Sequence, residues 1–162
     1  MQTNFTTERL QLEPLTHKHA AFIFELVNTS GWIKYIGDRN VYTTENAIEY
    51  IEKINNNEAI RYWVVNCIYE NLAIGLVTLI KRDYLEHHDI GFAFLPQYTS
   101  KGYAYEAANK LLQYLLKDAG HKHIDACTLP ENISSINLLE KLGLKFKEQI
   151  THHGDLLSIY SI

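Results

Sequence analysis

The sequence lacks the features of several protein classes. Its 162 residues include only two cysteines and three prolines, and no internal repeat is visible, so neither a disulfide framework nor a repeat architecture is expected. No apolar run approaches the ~20 residues that a membrane-spanning helix needs. The segment from Met1 to Glu8 is polar and has no secretory apolar core. We therefore expect a cytoplasmic protein with no membrane partner.

Blocks of one charge sign are also missing. Fifteen Lys and Arg residues stand against nineteen Asp and Glu residues, which gives a net charge of -4. Binding through phosphate neutralisation needs a basic surface, so nucleic acid is not an expected partner. The chain does contain 46% hydrophobic and 12% aromatic residues. This is enough to bury one core, and residues 1–162 are predicted to form a single domain.

Hydrophobic periodicity predicts an α/β fold built on one mixed sheet. Strand patterns cover the ranges 9–15, 62–69, 72–80, 89–95, 123–128, 144–151 and 155–162. Helical spacing begins after Thr16, after Thr44, at Gly102 and at Asn132. The pattern thus gives about seven strands and four helices. The helix between strands 89–95 and 123–128 predicts that these two strands pair in parallel.

The segment that follows strand 89–95 has the character of an anion site. A short loop leads into an amphipathic helix, and unpaired N–H groups together with the helix dipole favour phosphate oxygens there. Gly102 allows close backbone approach, Ala104 keeps the first turn slim and Lys101 adds a cation. A pyrophosphate would fit, although Gly102 taken alone is equally consistent with an ordinary loop.

The strand itself offers a place for an extended ligand. By alternation Asp89, Gly91, Ala93 and Leu95 share one face, which forms a shallow trough. An amide-bearing chain could lie there as an added strand.

These motifs together resemble the GNAT superfamily of N-acetyltransferases, and within it the RimJ/RimL-like branch. Gly102-Tyr103-Ala104 matches the acetyl-CoA signature Arg/Gln-x-x-Gly-x-Gly/Ala, with Thr99 at the first position. Asn132-x-x-Ser135, followed by the segment 139–143, resembles the second signature of the branch. The implied fold is the GNAT-like acyl-CoA N-acyltransferase fold.

The resemblance implies acetyl-CoA as co-substrate, no metal, and direct attack by a primary amine in a ternary complex. The acceptor would be a small molecule or a protein N-terminus. The positions implied to bind the coenzyme are Phe94, Leu95, Thr99, Ser100, Lys101, Gly102, Tyr103, Ala104, Asn132 and Asn137.

The resemblance also implies catalytic positions. Many members carry a tyrosine general acid where this chain has Leu139, so Ser135, beside Asn132, is the candidate donor to the leaving sulfur. Asp89 is the candidate acceptor of the amine proton, with His87 or His88 as substitutes. Alternation places His87 on the same face as Asp89.

The acceptor is expected near the first two helices and their connection. Trp32, Tyr35, Asp38 and Arg39 cluster there, and Asp38 could attract an amine. The aromatic pair is also consistent with core packing, and Arg39 with a salt bridge to Asp38 or Glu45.

Three other interpretations stay open at this point. The chain could be a catalytically silent acyl-CoA-binding module, because Leu139 and Thr99 depart from the family pattern. It could be an antibiotic-modifying enzyme, or Cys127 could act as a covalent nucleophile. Tyr69, Tyr84 and Tyr98 lie near predicted strand ends and are candidates for a homodimer contact.

Overall fold

One mixed sheet of eight strands organises the chain. The structure is a computed structural model that describes residues 3–162. The strands are β1 (Phe5–Thr6), β2 (Leu10–Pro14), β3 (Ile60–Cys67), β4 (Leu72–Ile80), β5 (Asp89–Phe94), β6 (Asp125–Thr128), β7 (Lys145–His152) and β8 (Asp155–Ser161). Their order across the sheet is β1-β2-β3-β4-β5-β6-β8-β7. Every neighbouring pair is antiparallel except β5 and β6, which are parallel as predicted.

Helices cover both faces of the sheet. They are α1 (Ala20–Val27), α2 (Ser30–Tyr35), α3 (Thr44–Asn55), α4 (Tyr103–Lys117) and α5 (Ile133–Lys141). Side chains of α4 and α5 share a core with Trp63 and Val65 of β3, whereas those of α1 to α3 share a core with Val64. Neighbouring residues of β3 thus point into opposite cores, as the period of a strand requires.

The predicted fold class is confirmed. The predicted numbers of strands and of α-helices are each one too low. The additional strand, β1, has two residues, too few to show a period. The additional helix, α2, has six residues and contains Gly31. It begins at a cap in which the Thr29 hydroxyl accepts the Trp32 N–H at 3.4 Å. No helix within residues 3–162 has both the length and the apolar composition needed to cross a bilayer.

The pairing of β4 with β5 depends on a glycine. Gly75 lies opposite Phe94, the last residue of β5. A Cβ atom at Gly75 would stand 2.4 Å from Cδ2 of the Phe94 ring, far inside van der Waals contact. The ring therefore occupies the space that a side chain at position 75 would need.

Gly75→Ala should destabilise the protein by about 1–3 kcal/mol, because the Phe94 ring has to leave its position. Thermal denaturation measures the loss. Gly31→Ala is the matched control, since a Cβ there meets nothing within 4 Å. That helical substitution should be neutral or stabilising by up to about 1 kcal/mol. Equal melting temperatures for the two variants would contradict the steric argument.

Candidate functional site

The two parallel strands separate almost as soon as they meet. Their register contains a single pair, Asp89 with Asp125, where the Asp125 N–H donates to the His88 carbonyl at 2.8 Å. Two residues further along β6, the Cys127 N–H donates instead to Oδ1 of the Asp89 side chain at 3.1 Å. The ladder ends there, and β5 and β6 diverge.

The divergence leaves main-chain groups of β5 available. Because the His88 carbonyl faces β6, alternation turns the backbone of Phe92 and Phe94 to the same side. The Leu95 N–H points the other way and donates to the Ile74 carbonyl at 2.9 Å. An extended ligand would therefore find its partners at Phe92 and Phe94.

A cavity of about 1340 Å³ lies between the diverging strands β5 and β6 and extends towards both helical layers. Most of the predicted site residues line it. They are Trp32, Tyr35, Arg39, Asp89, Phe94, Thr99, Ser100, Gly102, Tyr103, Ala104, Asn132, Ser135 and Asn137. The structure thus brings together positions that lie up to 105 residues apart in the sequence.

Three predicted site residues do not line the cavity. Leu95 is buried in the core, and its N–H is already used by Ile74. The Lys101 ammonium lies over the Tyr98 ring, 5.7 Å from its centroid. Asp38 accepts hydrogen bonds from the Asn40 N–H at 2.8 Å and the Tyr42 hydroxyl at 3.2 Å. Local contacts thus engage the Leu95 N–H and the side chains of Lys101 and Asp38, and the binding roles expected of these three residues stay predictions.

The loop before α4 has the geometry of a main-chain anion site. Ser100 and Gly102 have positive φ angles of 60° and 82°, and Lys101 between them does not. Such alternation turns successive N–H groups to one side. Gly102 is the N-cap of α4, and no side chain caps that helix. The first N–H groups of the helix are therefore left for a ligand.

Arg9, in the turn between β1 and β2, contacts this loop and holds it in place. Its Nε donates to Glu106 Oε2 at 2.7 Å and its Nη1 to the Lys101 carbonyl at 3.1 Å. The guanidinium also lies 4.3 Å from the centroid of the Tyr103 ring. Sequence reasoning did not find Arg9, because it lies more than 90 residues from the loop and belongs to no motif.

The start of α5 forms the wall opposite β5. The Asn132 Oδ1 accepts the Ser135 N–H at 3.3 Å and so caps the helix, which leaves the Asn132 amide NH₂ group for a ligand. The Ser135 hydroxyl has no hydrogen-bond partner within the described residues. Leu139 lines the same wall and is 1% exposed.

Asp89 forms the centre of a buried polar group. Its Oδ2 accepts from Arg82 Nε at 2.6 Å, and its Oδ1 holds the Cys127 N–H as described above. Burial raises the pKa of Asp89, while the ion pair with Arg82 acts in the opposite direction. Arg82 also lines the cavity; no motif in the sequence identifies it.

Both substitute bases lie elsewhere. The His87 ring is 5.0 Å from the His123 ring, and the His88 ring is 4.7 Å from the His121 ring. Neither His87 nor His88 lines the cavity. No group of three or more His, Cys, Asp or Glu residues within residues 3–162 is arranged to hold a metal ion.

The end of the cavity predicted to hold the acceptor lies between α1, α2, α3 and the central strands. Trp32 is 5% exposed and takes part in the core, and it also lines the cavity. Core packing of Trp32 is therefore shown, and its contact with a substrate stays a prediction. Arg39 forms no salt bridge with Asp38 or Glu45. Further lining residues that sequence reasoning missed are Tyr50, Lys53, Tyr62, Thr78 and Glu131.

Comparison with known proteins gives a consistent result. The family model described as the acetyltransferase (GNAT) domain matches residues 9–145. The uncharacterized N-acetyltransferase YnaD of Bacillus subtilis (strain 168) is 32% identical over 142 residues, which cover 88% of this chain and 82% of YnaD.

Solved structures share the architecture. The acetyltransferase (GNAT family) from Bacillus anthracis superposes with a TM-score of 0.83 at 28% identity, covering 99% of this chain and 98% of the other. The spermidine N-acetyltransferase from Vibrio cholerae, in complex with CoA and spermine, gives a TM-score of 0.81 at 21% identity and covers 96% of each chain. The second similarity concerns the fold alone.

Cys127 should react poorly with thiol reagents. Burial raises its pKa from about 9 to about 12, and the neighbouring Asp89 carboxylate acts in the same direction. A thiol with so high a pKa carries very little thiolate near pH 8. Timed iodoacetamide alkylation with mass spectrometry should show Cys127 far slower than a free cysteine. Rapid alkylation, or loss of all activity in Cys127→Ser, would favour the nucleophile interpretation.

Proposed function

This chain belongs to the GNAT acetyltransferase family, and from that premise we propose that it is an acetyl-CoA-dependent N-acetyltransferase acting on a primary amine. The observation that carries the proposal is the opening between β5 and β6 beside the uncapped start of α4. One end of this opening offers main-chain donors for phosphates. The other end reaches a cavity large enough for a second substrate.

The residues present fit acetyl-CoA. The backbone of Phe92 and Phe94 would pair with the amides of the pantetheine arm, as an added strand does. The N–H groups of residues 99–104 would hold the pyrophosphate. The free amide group of Asn132 would donate to the arm from the opposite wall, and Asn137 lies one turn further along α5.

Acetyl-CoA supplies a thioester that an amine can attack directly. The chain must then accept one proton from the ammonium, donate one to the departing sulfur and stabilise the oxyanion. We assign the N–H of Phe94 to the oxyanion. The unpartnered Ser135 hydroxyl donates towards the sulfur, because it is a free hydroxyl donor on the α5 wall. Asp89 accepts the amine proton through water, because it is the carboxylate at the point where the strands part.

Asp89 can combine this role with its structural one. Protonation of Oδ2 weakens the ion pair with Arg82 but leaves Oδ1 able to accept the Cys127 N–H. The raised pKa makes the carboxylate a better base than an exposed aspartate. A water chain would carry the proton to Asp89, because this side chain is buried.

We assign the chain to the RimJ/RimL-like branch on the strength of Asn132, Ser135 and the turn at Gly143. We also propose that the protein is cytoplasmic. Cys67 and Cys127 are both free thiols, and thiols stay reduced in the cytoplasm. The acceptor is either a small amine or a protein N-terminus.

One observation favours a different function. Leu139 is an apolar, buried residue on the cavity wall where many family members carry a catalytic tyrosine. A chain that kept the coenzyme site and lost this donor would bind acyl-CoA without turning it over. Binding and thiol release, measured on the same protein, separate this silent module from the enzyme.

The full chain should bind CoA in calorimetry and release free thiol from acetyl-CoA when primary amines are supplied. Gly102→Ala should weaken CoA binding by about tenfold, because its positive φ places the loop N–H groups. Gly120→Ala at the far end of α4 is the matched control. Gly120 has a φ of 76° and no neighbour within 4 Å of a Cβ, so this variant should keep its CoA affinity. Failure of the wild-type chain to bind CoA would overturn the proposal, and binding without thiol release would favour the silent module.

The role of Asp89 can be tested by its pH dependence. Asp89→Asn keeps an oxygen for the Cys127 N–H and removes the proton acceptor, so kcat should fall about 10²-fold. Arg82→Gln breaks the same ion pair but keeps the carboxylate. Loss of the cation raises the Asp89 pKa further, so activity in that variant should fall at a higher pH on acidification. Full kcat and an unchanged pH profile in Asp89→Asn would leave Asp89 as a structural residue only.

A further inference from the structure

Charge is distributed unevenly over the acceptor end of the cavity. The charged residues that line the half bounded by α1, α2, α3 and β3 to β5 are Arg39, Lys53, Arg82 and Asp89. Arg82 and Asp89 form an ion pair and offset each other. Arg39 and Lys53 remain as two excess cations, although the chain as a whole has a net charge of -4.

Neither excess cation is neutralised by a nearby acid. No salt bridge among the described residues involves Arg39 or Lys53. The adjacent Asp38 carboxylate is held by Asn40 and Tyr42 in its own turn. The two side chains are exposed, so they are free to meet a ligand.

Two buried aromatic residues line the same half. Trp32 is one, and its indole N–H is itself enclosed and has no partner within the described residues. Tyr62 is the second. Burial raises the pKa of Tyr62, and the guanidinium groups of Arg39 and Arg82 act against that shift. A wall with cations in excess is suited to an oxyanion.

We propose that the acceptor is a primary amine that also carries an oxyanion group, a carboxylate or a phosphate, and that Arg39 and Lys53 bind this group. The inference rests on the proposed acetyltransferase function and names the substrate class of that site. The amine would lie towards Asp89, at the point where β5 and β6 part. A polyamine would place additional positive charge beside Arg39 and Lys53, so it should be a poor acceptor.

The same cations could instead contact the phosphates of CoA. Their position argues against this, because α2 and α3 pack on the opposite face of the sheet from α4. The phosphate-binding loop leads into α4. CoA affinity of the Arg39 variants distinguishes the two possibilities.

The experiment compares acceptors that differ in the anionic group. The pairs are 4-aminobutyrate with butylamine and O-phosphoethanolamine with ethanolamine, and putrescine represents the polyamines. With the full chain and acetyl-CoA, thiol release should give a kcat/KM about tenfold higher for at least one anionic member than for its neutral partner. The pair that shows the preference identifies the anion as carboxylate or phosphate.

Substitutions then locate the anion site. Arg39→Gln should raise the KM of the preferred anionic acceptor about tenfold and leave the neutral partner unchanged. Arg39→Glu should shift the preference towards putrescine. Arg61→Gln is the matched control, because Arg61 is an exposed cation on β3 that lines a separate pocket with His88 and His121. It should leave every acceptor unchanged.

The outcomes separate this inference from the proposed function. Thiol release that is equal or better with neutral amines or putrescine overturns the inference and leaves the acetyltransferase function intact. So does an Arg39→Gln variant that loses CoA affinity while keeping its acceptor preference.

If CoA binds and no amine releases thiol, the proposed acetyltransferase function fails. Calorimetry of the CoA-loaded protein with N-acetyl-4-aminobutyrate, N-acetyl-O-phosphoethanolamine, N-butylacetamide and N-acetylethanolamine then decides the inference. Equal or absent binding of the anionic and neutral compounds would overturn it.

Discussion

The separation of β5 from β6 depends on a hydrogen bond between a side chain and the main chain. A buried N–H group must find an acceptor, and in a regular parallel ladder the Cys127 N–H would find it on the backbone of β5. Here Oδ1 of Asp89 takes that place. The strands can part without leaving a donor unsatisfied. The backbone of Phe92 and Phe94 is left free as a result, so the opening proposed to hold the coenzyme exists because a carboxylate replaces part of the sheet.

Burying that carboxylate carries a cost, which Arg82 offsets. An unpaired charge at this depth would be expensive, and the 2.6 Å contact with Arg82 supplies the compensating cation. Arg82 remains one-third exposed, so the pair reaches from the core to the cavity. The same pair therefore supports the opening of the sheet and sets the electrostatics at its floor. A change in either residue is felt both in stability and in the cavity.

Much of this arrangement could be read from the sequence. The periodicity of β3, β4 and α4 predicted the layers, and the helix between β5 and β6 predicted their parallel pairing. The place of Gly102 before a helix predicted the close backbone approach there, but not its positive φ. What the sequence could not show is contact between distant residues. The Asp89 and Cys127 contact spans 38 residues and the Arg9 and Glu106 contact spans 97, and neither pair forms a motif. Nor could the sequence show the local hydrogen bonds and ring contacts that engage Leu95, Lys101 and Asp38.

Main chain and side chains take different parts in this site. In the proposed function, the coenzyme side would rely on N–H groups of the loop before α4 and on the backbone of β5, which almost any residue can supply. The acceptor side would rely on side chains from α2, α3 and the segment between them, including Trp32, Arg39 and Lys53. Substitutions on the acceptor side can change its charge without disturbing the backbone donors, because the two sets lie on opposite faces of the sheet. Acceptor choice should therefore follow the charge of this wall more closely than the overall fold, which the chain shares with a spermidine acetyltransferase at 21% identity.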